Sequence, residues 1–294
     1  MDAIDTLIKS QALPAAYRTT VDTIHRPVAD EIARRRRALG RTLVAGLCGS
    51  QGSGKSTMAA FLKVLLEGQG LTAAVLSLDD LYLTLPERER LAAEVHPLLR
   101  TRGVPGTHDT ALGMSLLDRL GHGSGQVPLP RFDKAEDTRA AAQTWPHVKA
   151  PVDVVLFEGW CVGAVAQPDE ELARPVNALE RNEDADGTWR RYVNMRLKTD
   201  YAALFGRIDI LALLEAPSFE VVFGWRSLQE RKLADTLARK GITGRKVMGP
   251  DEIARFLMFY QRLTEFILRE MPARAGILMP MDADHHIREV TFRA

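Results

Sequence analysis

Two periods alternate along the chain. Residues 17–39 place Val21, Ile24, Val28, Ile32 and Leu39 on or near one face at helical spacing. The pattern then changes: residues 42–48 (TLVAGLC) form a short, continuous apolar run closed by Gly49, as a buried parallel strand requires. Residues 56–67 return to helical spacing and stop at Gly68 and Gly70. Further apolar runs at 72–78, 152–157, 208–214 and 276–281 predict four more strands. Helical segments between them centre on 85–100, 110–120, 171–206, 219–240 and 250–270. Strands alternating with helices predict an α/β fold whose five-stranded sheet is mainly parallel. Residues 122–151, rich in Gly and Pro, form the least regular stretch, and long irregular connections inside compact domains tend to be functional. No second core is visible, so residues 1–294 read as a single domain, with 1–40 a helical extension and 41–294 the binding core.

Composition adds limits. A chain of 294 residues with 46% hydrophobic residues can bury a substantial core. A net charge of +1 favours neither nucleic acid nor an anionic membrane as partner. The run Arg34 to Arg37 wraps a full helical turn and reads as a solvated helix end, not a basic stripe. Apolar runs stay well short of the roughly 20 residues a membrane helix needs, and the first residues, MDAIDTLIKSQALP, lack the apolar centre of a signal peptide. Cys48 and Cys161 read as small core residues of a reduced, cytoplasmic protein.

The chemistry starts at Gly49-Ser50-Gln51-Gly52-Ser53-Gly54-Lys55-Ser56, followed by Thr57. This fits G-x-x-x-x-G-K-[ST] between a predicted strand and a predicted helix, the context a phosphate loop needs. Inward-turned backbone N–H groups and the helix N-terminus would hold a nucleoside triphosphate. Lys55 would reach its β- and γ-phosphates and Ser56 would ligate Mg²⁺. The second strand runs into Asp79-Asp80, where either carboxylate can face the γ-phosphate and take a proton from an attacking hydroxyl. Asp79 is the preferred base, with Asp80 capping the next helix or orienting its neighbour. The third strand ends in Glu158, the position of an acid that serves Mg²⁺ directly or through water.

These residues together resemble the kinase group that contains uridine kinase, pantothenate kinase and phosphoribulokinase. Longer segments are similar to one branch, the D-glycerate 3-kinases of plants and their bacterial and fungal relatives. They are Ser77-Leu78-Asp79-Asp80-Leu81-Tyr82-Leu83-Thr84, Arg102-Gly103-Val104-Pro105-Gly106-Thr107-His108-Asp109, Leu129-Pro130-Arg131-Phe132-Asp133-Lys134, Leu156-Phe157-Glu158-Gly159-Trp160 and Trp225-Arg226-x-x-Gln229-Glu230. The resemblance implies a three-layer α/β/α P-loop kinase fold, ATP with Mg²⁺, and transfer to the 3-hydroxyl of D-glycerate. It places Asp79, Tyr82, Arg102, His108, Asp109 and Arg131 at the substrate, with Arg139 a further cation for the carboxylate. Arg226, with Arg231, would sit on a lid that stabilises the transferring phosphoryl. Where family members carry Gly-Asp-Arg, this chain departs with Glu136-Asp137-Thr138-Arg139, in which Asp137 and Arg139 could fill similar roles at shifted spacing. Two other readings fit the same loop: a kinase for another alcohol such as pantothenate or a nucleoside, and a non-catalytic ATP-binding switch or assembly protein. His285-His286, near Asp282 and Asp284, reads as a surface turn, and Phe256, Phe259, Tyr260 and Leu263 as a buried helix stripe.

Overall fold

The computed structural model describes residues 2–239 and 248–293. Among them, the expected strands are β1 (Leu43–Gly49), β2 (Ala73–Ser77), β3 (Val154–Gly159), β4 (Ile210–Glu215) and β5 (Ile277–Pro280). All five run parallel, in the spatial order β2-β3-β1-β4-β5. A sixth strand, β6 (Thr291–Phe292), pairs antiparallel with the outer edge of β5, so the sheet has one strand more than the sequence suggested. Two residues are too few for a period to register.

Each of the five parallel strands feeds two cores. Leu43, Ala45 and Leu47 of β1, with Val154 and Leu156 of β3, face the helices Ala3–Ser10, Arg26–Leu39 and Lys55–Gly68. Val44 and Cys48, with Val155 and Phe157, face the opposite layer, which includes the helices Thr110–His122 and Asp200–Phe205. Both faces are covered, which is why these strands read as unbroken apolar runs. The first forty residues belong to this architecture: Ile4, Ile8, Val21, Val28 and Ile32 are all buried in the first core, although Leu39 is exposed. Within residues 34–37, Arg34 and Arg35 pair with Glu31, while Arg36 reaches Asp153 at 2.6 Å.

Two predicted helices are interrupted. The segment 85–100 opens with a capping box between Thr84 and Glu87, but its helix ends at Glu94; Pro97 restricts His96 to extended backbone, and only a short 3-10 turn follows. The segment 171–206 breaks into Ala178–Glu183, Thr188–Lys198 and Asp200–Phe205, with a turn closed by Gly187 between the first two. Between the helices Ala178–Glu183 and Pro250–Glu270, Glu180 is fully buried and paired with Arg262 through two bonds of 2.7 Å. Removing one partner leaves an uncompensated buried charge, so Glu180→Ala is expected to cost about 3–5 kcal/mol in urea unfolding. A loss near zero would show that the pair does not hold this region. Residue 240, the end of the predicted 219–240 helix, and the side chain of Gln229 lie outside the described residues.

The irregular stretch at 122–151 holds two small antiparallel pairs. Gly125–Pro128 pairs with His147–Ala150, and Phe132–Asp133 with Thr138–Arg139. The second pair forms the hairpin that reaches the carboxyl end of β2. Among the described residues no helix is long and apolar enough to cross a membrane, and Cys48 and Cys161 are free, buried thiols.

Candidate active site

Parallel pairing brings the carboxyl ends of β1, β2 and β3 level. Leu47 of β1 and Ser77 of β2 both lie opposite Glu158. The phosphate loop leaves β1 at Gly49 and enters the helix Lys55–Gly68. Gly52 has φ +82°, and a Cβ there would approach Trp225 Cβ to 2.9 Å, so the loop turns closely under the helix Phe219–Arg239. Gly159 plays a different part: a Cβ would come within 2.6 Å of Leu78 Cβ. Its bareness lets the end of β3 approach the segment that carries Asp79.

The loop is dressed for a polar ligand. Ser50 Oγ, Gln51 Oε1 and Ser53 Oγ are buried without a hydrogen-bond partner among the described residues. Burying such atoms unpaired is costly, so their arrangement fits a phosphate chain that supplies the missing bonds. Ser56 Oγ donates to Glu158 Oε1 at 3.0 Å, while Glu158 Oε2 is buried and unpartnered. A hydroxyl and a carboxylate in contact at a phosphate loop form a donor set suited to a hard divalent cation.

Asp79 stands at the end of β2, half-buried. Tyr82 donates its hydroxyl proton to Oδ1 at 3.1 Å, and Lys134 Nζ lies 2.6 Å from Oδ2. Burial pushes the carboxyl up, but the charges of Lys134 and Lys55 outweigh it and hold Asp79 at about 2. The neighbouring acid differs. Asp80 accepts the Phe132 N–H at 2.9 Å and pairs with Arg131 at 3.1 Å. Burial raises its pKa in spite of these partners. Asp80 therefore neither caps the next helix nor faces the crevice as a base; it clamps the hairpin onto β2.

The other sequence candidates divide between the crevice wall and the frame. Arg102 pairs with Asp137 and lies over the Phe132 ring at 5.3 Å. Arg139 joins Asp109 at 3.3 Å and the Tyr82 carbonyl at 3.2 Å. Asp109 caps the helix Thr110–His122 by accepting the Leu112 N–H. His108 departs most from expectation. It is 2% exposed, stacked on Tyr82, with Nδ1 2.5 Å from the Tyr201 hydroxyl, and burial lowers its pKa to about 3. A neutral imidazole in that position backs Tyr82 from the core and does not open to a substrate hydroxyl. Arg226 is paired with Glu230 and lies over Phe256 at 5.3 Å, while Arg231 is exposed.

Trp160 does not line the crevice: it is buried, donating its indole N–H to the Gly103 carbonyl at 2.9 Å. His286 pairs with Asp282 in a surface turn, and His285 stacks on Trp225. Sequence reasoning passed over two groups. Arg88, 1% exposed, binds the carbonyls of Leu83, Arg100 and Asp137, partners that the local sequence does not announce. Lys134 ends the segment Leu129 to Lys134, but its partner is 55 positions away.

A loop that wraps phosphates, beside an ionised carboxylate not spent on that loop, is built to pass a phosphoryl group to an alcohol; the fold and crevice are those of a P-loop phosphotransferase. No family model matches the chain. Individual relatives do. The chain is 33% identical over 238 residues to an uncharacterized kinase, mug58, of Schizosaccharomyces pombe, covering 78% of this chain and 82% of that one. It is 28% identical over 240 residues to the chloroplastic D-glycerate 3-kinase of Arabidopsis thaliana, covering 79% of this chain but 50% of the plant protein. The chain thus spans about half the length of that relative. A solved D-glycerate 3-kinase from Cryptococcus neoformans shares the fold, with a TM-score of 0.73 over 95% of this chain and 100% of that one at 23% identity. The chain belongs to this family of P-loop kinases, which includes the D-glycerate 3-kinases.

Proposed function

We propose that the protein is an ATP- and Mg²⁺-dependent D-glycerate 3-kinase, acting in the cytoplasm as one catalytic domain in which residues 1–40 form part of the frame. The observation that carries the acceptor class is the cluster of cations about Asp79: Lys134 touches it, Arg131 flanks it through Asp80, and Arg102 and Arg139 hold the same hairpin. A small alcohol bearing a carboxylate suits such a wall, and a neutral one gains less from it.

On this reading the loop residues Gly49, Ser50, Gln51, Gly52, Ser53 and Gly54 hold the β- and γ-phosphates with Lys55, and Thr57 lies in the first turn behind them. Ser56 and Glu158 would hold Mg²⁺, which supplies charge neutralisation on the phosphate oxygens when bound. The substrate's 3-hydroxyl oxygen attacks the γ-phosphorus, a new O–P bond forms, and the bond to the β–γ bridging oxygen breaks. ADP leaves with that electron pair, and the hydroxyl proton passes to Asp79. Tyr82 fixes the carboxylate that receives it. Arg226, one residue beyond the Trp225 that packs on Gly52, would leave Glu230 to meet the transferring group from the lid side.

Coupled ADP release tests the reading. D-glycerate is expected to stimulate release strongly, with pantothenate, nucleosides and glycerol far behind. Stimulation by one of those alcohols and not by glycerate would assign a different acceptor. No stimulation by any alcohol, with nucleotide-dependent partner binding, would make the protein a switch.

A further inference from the structure

The cations around the acceptor side of the crevice are committed in different ways. Arg131 is tied to Asp80, Arg139 to Asp109 and the Tyr82 carbonyl, and Arg88 and Arg102 to Asp137. Each of those acids is part of the frame. Lys134 differs, because its partner is the carboxylate that must receive the substrate's proton.

The hairpin tip fixes the root of Lys134 and leaves its arm exposed, with its ammonium held by Asp79. Asp133 Oδ1 accepts the N–H groups of Ala135 at 2.8 Å and Glu136 at 3.2 Å, closing the turn on its own side chain. On the far side, Arg88 holds Asp137 at 2.8 Å. The Lys134 side chain itself is 59% exposed, the most exposed among those of Lys134, Arg131, Arg102, Arg139 and Arg88. Its ammonium is a point charge on a flexible stem, able to exchange one carboxylate for another.

In the resting arrangement both Asp79 oxygens are engaged, Oδ1 by Tyr82 and Oδ2 by Lys134. An incoming hydroxyl needs one of them. An acceptor that brings its own carboxylate can draw the ammonium away, replacing one ion pair with another. A neutral alcohol, or water, must break the pair without replacing it. A three-carbon hydroxy acid with its terminal hydroxyl on Asp79 keeps its carboxylate close by, inside the arc of the lysine arm.

We propose that Lys134 is the carboxylate receptor of the acceptor site, and that it leaves Asp79 for the substrate's carboxylate, so that anionic alcohols uncover the base and neutral ones do not. The inference rests on the glycerate reading given above. It makes Lys134 the residue that sets acceptor specificity, through the same contact that keeps the base covered.

The test compares D-glycerate with its methyl ester, which keeps both hydroxyls and loses the charge. In Lys134→Met, kcat/KM for the acid is expected to fall roughly 10- to 100-fold while that for the ester rises, because the base is no longer covered, so the acid-to-ester preference collapses. Lys134→Arg should retain most of the preference, and thermal melts should match for all three proteins because the side chain is exposed. Equal losses on acid and ester, or no loss on either, would overturn the proposal while leaving glycerate phosphorylation by the wild type in place. A wild type that transfers phosphate to another alcohol but not to D-glycerate would instead remove the glycerate reading, and this proposal with it.

Discussion

Asp79→Asn is expected to lower kcat by about 10³-fold, within the range of a positioned general base, and to leave ATP affinity nearly unchanged. The amide is isosteric and can still accept the Tyr82 hydroxyl, so the crevice keeps its shape. What it loses is the site that receives the proton. The pH dependence has a definite sign. Lys134 and Lys55 depress the Asp79 pKa from 3.8 to about 2, so the carboxylate is already ionised above the unperturbed value. Activity should therefore show no acid limb from this group above about pH 4, and any stability its pairing provides should be lost only as pH falls toward 2. So acidic a carboxylate is a weak base, which fits a loose phosphoryl transfer in which the proton moves late and alignment of the hydroxyl matters most. Steady-state kinetics with ATP titration separate the two effects; a fully active asparagine variant would remove Asp79 from the chemistry.

The second large effect belongs to the donor side. Lys55→Met should reduce kcat/KM for ATP by about 10³-fold, because a fixed cation beside the phosphates is most valuable as charge shifts toward the leaving group. Lys55 opens its helix and makes no ion pair among the described residues, so the substitution should spare the fold. Retained turnover at saturating ATP would place the phosphate contact elsewhere in the loop.

Much of this architecture is written locally. The phosphate loop is contiguous, its glycines have local geometric reasons, and apolar runs bounded by Gly or Asp mark strands covered on both faces. Other features depend on partners distant in sequence. Asp79 and Asp80 occupy one strand end, and sequence prefers Asp79 as the base without showing what holds Asp80. The hairpin engages Asp80 with the Phe132 N–H and Arg131, which supports that preference. His108 looked like a polar ligand because nothing nearby in sequence announces Tyr201, which receives it in the core 93 positions later. Lys134 escaped for the same reason, as its contact with Asp79 exists only once residues 132–139 fold back over β2. The segment 171–206 reads as helical without marked breaks, whereas the backbone turns at Gly187 and at Thr199.

On the proposed function, a phosphoryl group passes from ATP to an alcohol of D-glycerate at the crevice between the phosphate loop and Asp79. Phosphorus NMR of a reaction containing D-glycerate and Mg-ATP tests it most directly. A phosphomonoester resonance that matches 3-phospho-D-glycerate is expected, growing in step with ADP and lost in Asp79→Asn. ADP accompanied only by inorganic phosphate, or an ester that forms equally well in the Asp79→Asn variant, would contradict it.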